Sequence, residues 1–212
     1  MATRVARRVR ARRGEGDRLR EEIVDATEAL LIETKDADAV SIRAVADAVG
    51  VTPPSIYIHF VRKEDLILEV CERNFRALDA VIEEATCDGC DPVEAVKAIG
   101  RAYVRFGLDH PEQYRLLFMT RNPQLEPEVV RERIMHVSGF SRVVEATQRG
   151  IDEGAFAPGD AFTMACGLWM GVHGITSLFI SKPSFPWPDR EALIEHCLDG
   201  YCRALTAPEG SP

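Results

Sequence analysis

The feature that most constrains this chain is a nine-residue stretch, T-P-P-S-I-Y-I-H-F, at residues 52–60. Thr52 is a favourable helix N-cap, and two prolines suit the first helical positions, where a missing N–H goes unused anyway. Ile56 and Phe60 lie four residues apart and can anchor one face to a core. The polar side chains between them are not needed for stability. The pattern therefore predicts a short helix with a purpose other than packing.

A second short helix is predicted just upstream. Residues 41–49 read S-I-R-A-V-A-D-A-V, with Ser41 suited to the N-cap and Gly50 to the end. Two short helices around a tight glycine-containing turn form a helix-turn-helix, whose second helix reads DNA. The sequence therefore predicts a DNA-binding element.

Charge is unevenly distributed along the chain. The 212 residues carry a net charge of −8, yet residues 1–20 hold eight arginines against two carboxylates. A basic arm on an acidic body is expected when one end meets a polyanion, although a solubilising tail has the same composition. The arginines predicted to add phosphate or minor-groove contacts are Arg4, Arg7, Arg8, Arg10, Arg12 and Arg13.

Composition favours a cytoplasmic protein without a membrane partner. Hydrophobic residues make up 46% and charged residues 28% of the chain, as is ordinary for a globular domain. No apolar run is read as reaching the roughly 18 residues of a membrane span, and the arginine-rich start has no apolar segment behind it. Six scattered cysteines indicate a reducing compartment.

Helical periodicity dominates the chain, and no strand pattern or internal repeat is found. The predicted class is all-α, with a three-helix head, a larger helical body and about nine helices. They are predicted over residues 17–33, 41–49, 52–60, 64–85, 92–109, 111–119, 126–151, 160–181 and 189–205. The predicted domains are a disordered arm (1–16), a DNA-binding domain (17–65), a ligand-binding and dimerisation domain (66–206) and a disordered tail (207–212).

The stretch from Ser41 to Leu66, S-I-R-A-V-A-D-A-V-G-V-T-P-P-S-I-Y-I-H-F-V-R-K-E-D-L, resembles the TetR family of transcriptional regulators. The resemblance implies a DNA-binding head joined by its fourth helix to a regulatory body, acting as a dimer. It implies backbone or base contacts from Ser41 and Arg43, groove-facing positions for Thr52, Pro53, Pro54 and Ser55, and phosphate contacts from Tyr57, His59 and Lys63. Phenol, imidazole and ammonium groups donate to phosphate oxygens, and hydroxyls read base edges.

One departure from the family pattern and one alternative role qualify this assignment of residues. The paired prolines replace the commoner Gly or Lys and present an apolar surface that suits thymine methyls better than guanine. His59 has the alternative of a capping or core histidine.

Two later segments resemble the WHG-type C-terminal domain of TetR-like regulators: H-P-E-Q-Y-R-L-L-F at 110–118 and L-W-M-G-V-H-G at 168–174. That domain implies no single ligand. An apolar pocket with a few polar groups is predicted from Phe106, Tyr114, Phe118, Met119, Met135, Phe140, Trp169 and His173. The same residue types at helical spacing are typical of ordinary core, and a buried histidine paired to a carbonyl or carboxylate is an alternative for His173.

A ridge of small residues predicts a dimer interface on the nearly uncharged helix 160–181. Glycine costs roughly 1 kcal/mol against alanine inside a helix, so three of them at helical spacing need a packing reason. The predicted interface comprises Gly167, Gly171, Gly174 and Leu178, with Leu193, Cys197, Leu198 and Tyr201 of the last helix. Close packing within one subunit is the alternative.

The sequence predicts a ligand-responsive DNA-binding regulator. We expect a repressor that binds double-stranded DNA at a palindromic operator as a homodimer and responds to a small apolar ligand. The alternative is a regulator responding to thiol chemistry, a metal or a protein partner through Cys87 and Cys90, although one CxxC without a second pair is weak evidence for metal. No catalytic constellation has supporting context, so neither an enzyme, a cofactor nor a metal site is predicted.

Overall fold

A computed structural model describes residues 15–86, 89–120 and 139–206, which form nine helices and no β-strand. The predicted all-α class is confirmed. The helices are α1 (Glu15–Thr34), α2 (Ile42–Val49), α3 (Pro53–Tyr57), α4 (Lys63–Ala85), α5 (Pro92–Asp109), α6 (Pro111–Phe118), α7 (Phe140–Asp152), α8 (Ala161–Ser181) and α9 (Arg190–Leu205). Most of the predicted arm and the whole tail lie outside the described residues, but Glu15 and Gly16 are already helical.

The predicted helix over residues 126–151 is wrong at one point. Gly139 takes a left-handed backbone conformation, with φ of 70°, and α7 begins only after it. A helix interior does not accept that conformation, and a Cβ at Gly139 would also lie 2.7 Å from the Ile82 side chain. The earlier part of the predicted helix, up to residue 138, lies outside the described residues.

The chain divides into two compact units. Unit 1 takes in residues 1–74 and 112–131, and unit 2 takes in residues 75–111 and 132–212. The division falls within α4, after Asn74, whereas the sequence places it between residues 65 and 66. It also assigns α6 to the same unit as the head.

Unit 1 holds the head around a fully apolar centre. Ile23 of α1, Val45 of α2, Ile56 of α3 and Leu66 of α4 each have no exposed surface. These residues come from the four helices of the head, so burying them fixes each helix against the others.

Unit 2 is built around α5, which is buried over most of its circumference and packs against α7, α8 and α9. Gly100 allows the closest approach, because a Cβ there would lie 2.5 Å from Leu198 and 3.4 Å from Val172. Ion pairs then bind α9 to α5: the Arg101 guanidinium donates to Glu195 at 2.7 Å, and the Lys97 ammonium lies 2.7 Å from Asp199.

The nearly uncharged helix α8 buries one face. Its inward residues are Ala161, Ala165, Leu168, Val172, Thr176 and Phe179. Phe162, Trp169, Met170 and Leu178 are exposed. Contrary to the sequence expectation, α8 is long enough and apolar enough to span a membrane. This is weak evidence for a membrane span, because core helices have the same length and composition.

Candidate functional site

The helix-turn-helix is formed by α2 and α3. The Ser41 hydroxyl accepts a hydrogen bond from the Ala44 N–H at 3.1 Å and so caps α2, as predicted. Gly50 ends the helix with a left-handed φ of 77°, and its N–H and that of Val51 both donate to the Ala46 carbonyl. Glycine supplies this conformation without steric cost, which turns the chain directly into α3.

The short helix α3 is anchored as its sequence predicts, with Ile56 and Phe60 both buried. The predicted capping hydrogen bond from the Thr52 hydroxyl is absent. The two prolines that follow have no N–H, and the remaining capping donor, the Ser55 N–H, donates to the Thr52 carbonyl at 2.8 Å. The Thr52 and Ser55 hydroxyls pair with each other at 3.1 Å. Thr52 and Ser55 therefore present a joined pair of hydroxyls on the exposed side of the turn.

Arg20 of α1 fixes the end of this segment. Its guanidinium carbon lies 4.9 Å from the centre of the Phe60 ring, and Nη2 donates to Glu69 of α4 at 2.7 Å. One side chain therefore ties three parts of the head together. The sequence interpretation missed this residue, because only the folded structure shows that Phe60 and Glu69 lie within reach of Arg20.

The predicted DNA-contact residues fall into two groups. Arg43 and Tyr57 are exposed, and Arg43 has neither an ion pair nor a hydrogen bond to its side chain among the described residues. Lys63 instead has a structural partner, since its ammonium donates to the Ala37 carbonyl at 3.0 Å. Ser41 is likewise engaged as a cap, so a substitution at either position changes the head as well as any contact with DNA.

Two exposed residues beside α3 were missed by the sequence interpretation. Ile58 is 80% exposed and Val61 is 79% exposed, the highest values among the exposed large hydrophobic residues of the described chain. The signal was present in the sequence, because both positions fall off the Ile56/Phe60 anchoring face.

In unit 2 the structure brings together Phe140, Trp169 and His173 from the predicted pocket. The Trp169 ring centre lies 6.3 Å from that of Phe140 and 6.0 Å from that of His173. His173 Nδ1 lies 3.2 Å from the Tyr103 hydroxyl, a hydrogen bond that the sequence did not suggest. Burial lowers the pKa of the His173 imidazole, which favours its neutral form.

The other predicted pocket residues are placed elsewhere in the chain. Phe106 is buried in unit 2, with its ring centre 5.2 Å from that of His110. Tyr114 and Phe118 stack in unit 1 at 5.0 Å, beside the exposed Met119. Met135 lies outside the described residues.

The residues of the predicted dimer interface also differ in whether they are exposed or buried. Among residues 15–86, 89–120 and 139–206, a Cβ at Gly171 or Gly174 would meet no atom within 4 Å, and Leu178 is 47% exposed. Leu193 and Cys197 are half-buried. Leu198 is 1% exposed and packs against α5, and its assignment to a dimer interface is therefore corrected.

Two residues of the predicted dimer interface, one from the ridge and one from the last helix, pack on each other within one chain. A Cβ at Gly167 would lie 3.2 Å from the Tyr201 ring, and the Tyr201 hydroxyl donates to the Met164 carbonyl. The alternative of packing within the subunit therefore holds at this end of the ridge.

The thiol loop lies just before α5. Cys90 is disulfide-bonded, and the next residue, Asp91, caps α5 by accepting from the N–H groups of Val93 and Glu94. Cys87 lies outside the described residues. No cluster of three or more His, Cys, Asp or Glu suited to a metal occurs in the described part of the chain.

A helix-turn-helix with exposed side chains, followed in the chain by a helical unit, is typical of the class of DNA-binding regulators. Residues 23–70 match the family model "Bacterial regulatory proteins, tetR family", and residues 96–201 match "Tetracyclin repressor-like, C-terminal domain". The chain belongs to the TetR family of transcriptional regulators. A comparison with curated proteins found no match.

Solved structures share the fold over nearly the whole chain. A protein from Shewanella sp. PV-4, named as a TetR-family transcription regulator, has a TM-score of 0.75 at 16% identity, covering 90% of this chain and 99% of that one. A protein of unknown function from Rhodococcus sp. RHA1 has a TM-score of 0.72 at 24% identity, covering 89% and 96%. The TetR-family regulator PfmR from Thermus thermophilus has a TM-score of 0.64 at 22% identity, covering 87% and 99%.

Proposed function

We propose that the protein is a homodimeric repressor that binds a palindromic operator and leaves it when a small, largely apolar molecule binds unit 2. The observation that carries the proposal is the continuity of α4. This single helix begins at Lys63, directly after the reading segment, and ends at Ala85 in the regulatory unit. One continuous helix therefore joins the DNA-binding part to the regulatory part along the chain, and a ligand that shifts its C-terminal part is proposed to act on the head through it.

The exposed face of α8 supports a homodimer. Phe162, Met170 and Leu178 present large apolar side chains to solvent, and Gly171 and Gly174 leave room for close approach by another helix. Met170, Gly174 and Leu178 follow one another at four-residue spacing and so share one face of α8, and exposed apolar surface on one face marks an interaction site. A two-fold pair would place two reading helices in successive major grooves, about 34 Å apart.

The Tyr103–His173 pair supports a ligand site in unit 2. A neutral imidazole that is hydrogen-bonded to a phenol and lies beside the Trp169 ring, which in turn lies beside Phe140, suits an uncharged molecule with one polar group. Such a ligand releases DNA only by binding one arrangement of the dimer better than the other, typically by ~1–3 kcal/mol of coupling.

Replacing Tyr103 with phenylalanine tests this site. The substitution keeps the ring and removes the hydroxyl that pairs with His173, so we expect the compound concentration for half-release to rise about 5–20-fold. Operator affinity without compound should stay unchanged. The measurement is fluorescence anisotropy of labelled operator, titrated with neutral aromatic and aliphatic compounds that release the wild-type protein.

Tyr201→Phe is the matched control, because Tyr201 is a half-buried tyrosine of unit 2 whose hydroxyl donates to the Met164 carbonyl instead of to His173. A rise in the half-release concentration for this control alone would move the ligand site to the contact between α8 and α9. If no compound of either class releases the operator, the ligand-response part of the proposal is wrong.

A second candidate is regulation through the thiol loop, favoured by the disulfide at Cys90 beside the N-cap of α5. Breaking that bond would change the chain at the start of the central helix of unit 2. In this case a Cys87→Ser, Cys90→Ser double variant would lose a response to dithiothreitol, and apolar compounds would not shift the melting temperature.

A further inference from the structure

We infer that Pro54, Ile58 and Val61 form an apolar reading surface that selects thymine methyl groups in the operator, with Ile58 as the main specificity-determining residue. The inference rests on the proposed function, because it concerns the operator that the protein is proposed to bind. It adds the chemical feature of that operator which the head recognises.

The geometry of α3 places these side chains opposite the core. Ile56 has no exposed surface, and residues 54 and 58 each lie two positions away from it. Two helical positions correspond to roughly 200°, so Pro54 and Ile58 lie together on the opposite face. The backbone at Ile58 is still helical, with φ −68° and ψ −30°, and Val61 follows three residues later.

The exposure of this surface has no explanation within the head. Ile58 and Val61 leave 80% and 79% of their surface in water, although Ile56 and Phe60 of the same segment are buried. Pro54 and Ile58 belong to the same short segment as the exposed Tyr57 and the joined hydroxyls of Thr52 and Ser55, and Val61 follows that segment in the chain. In this class of protein the second helix of the helix-turn-helix enters the major groove.

The chemistry of the surface selects one feature of a base edge. Ile58, Val61 and the Pro54 ring neither donate nor accept hydrogen bonds, so they cannot satisfy the donors and acceptors of guanine, adenine or cytosine. In the major groove the apolar feature is the C5-methyl group of thymine. Placing a polar edge against this surface would leave base atoms without partners, so the surface both attracts thymine and disfavours the other bases.

Deoxyuridine provides the test, because it pairs like thymine and lacks only the methyl group. An operator is first selected from a random duplex pool, and each thymine of its half-sites is then replaced by deoxyuridine. Burial of one methyl-sized group is worth about fourfold in affinity. We expect at least one thymine whose replacement in both half-sites weakens binding about fifteenfold in fluorescence anisotropy.

The Ile58→Ala variant tests whether Ile58 is the residue that contacts the thymine methyl group. The variant should fold, since the side chain is exposed, and it should lose most of its sensitivity to deoxyuridine at that thymine, with a remaining effect below about twofold. Phe185→Ala is the matched control, because it truncates another exposed hydrophobic residue, in unit 2. This control should keep the full sensitivity.

Three outcomes overturn the inference. A selected operator that is indifferent to every deoxyuridine replacement contradicts it, and so does an Ile58→Ala variant that keeps the wild-type sensitivity. Tighter binding to 5-methylcytosine without any thymine effect would assign the surface to methylated cytosine instead. A pool that shows no enrichment overturns the proposed function itself. That result differs from the three outcomes above, each of which requires an operator that has been selected.

Discussion

Replacing Gly171 with leucine should convert the proposed dimer into monomers without unfolding the protomer. A Cβ at Gly171 meets no atom of the described residues within 4 Å, so the described part of the protomer has space for the new side chain. Removing a glycine from the middle of α8 should also stabilise that helix by about 1 kcal/mol. A helix of a second copy packed closely against this position would collide with the leucine.

The measurements are sedimentation velocity for the oligomeric state and urea unfolding for protomer stability. Operator affinity should fall about 100-fold or more, because a monomer loses the second half-site. Gly150→Leu is the contrasting variant, since a Cβ at Gly150 would lie 2.2 Å from the Phe156 ring and should destabilise the protomer. A Gly171→Leu protein that sediments as an intact dimer would place the interface elsewhere.

Replacing Arg43 with methionine should lower operator affinity by about 100–10,000-fold, because each of the two protomers loses one hydrogen bond from a charged group, worth about 10–100-fold. Arg43 is exposed and, within the described chain, makes no ion pair whose loss would disturb the head. Its thermal unfolding should therefore match the wild type. Anisotropy titrations on operator and on random DNA, repeated over a range of salt, give the measurement.

The salt dependence distinguishes the two contacts open to Arg43. A phosphate contact weakens operator and random DNA alike and reduces the salt slope of the dimer by about two, one for each protomer, whereas a base contact weakens the operator selectively. Arg105→Met, at an exposed arginine of α5, is the matched control and should change neither affinity. If Arg43→Met binds the operator as tightly as the wild type, Arg43 is not a DNA contact.

Local signals predicted the head well. A serine cap, a glycine stop and the Ile56/Phe60 spacing each act over a few residues, and the structure contains all three features. The side-chain cap at Thr52 is absent, because the prolines leave only the Ser55 N–H as a capping donor and this N–H donates to the Thr52 carbonyl. The loss of the other donors was available from the sequence and was overlooked.

The regulatory unit depends on contacts between distant residues, which the sequence could not supply. Leu198 and Leu178 are equally apolar, but Leu198 turns inward because Gly100 admits it against α5. The Tyr103–His173 hydrogen bond joins residues 70 positions apart, and the Arg20 contacts join α1 to the end of the reading segment and to α4. Helical periodicity gives the faces of each helix but not their neighbours.

The central claim is that paired reading helices recognise a symmetric operator, and selection of bound DNA from a random duplex pool tests it most directly. A homodimer with paired reading helices should enrich a palindrome whose half-sites are centred about one helical turn apart, 10–10.5 base pairs, or a multiple of it. Two protomers, or a multiple of two, should bind each site. Absence of enrichment, or enrichment of a single asymmetric site bound by one protomer, would contradict it.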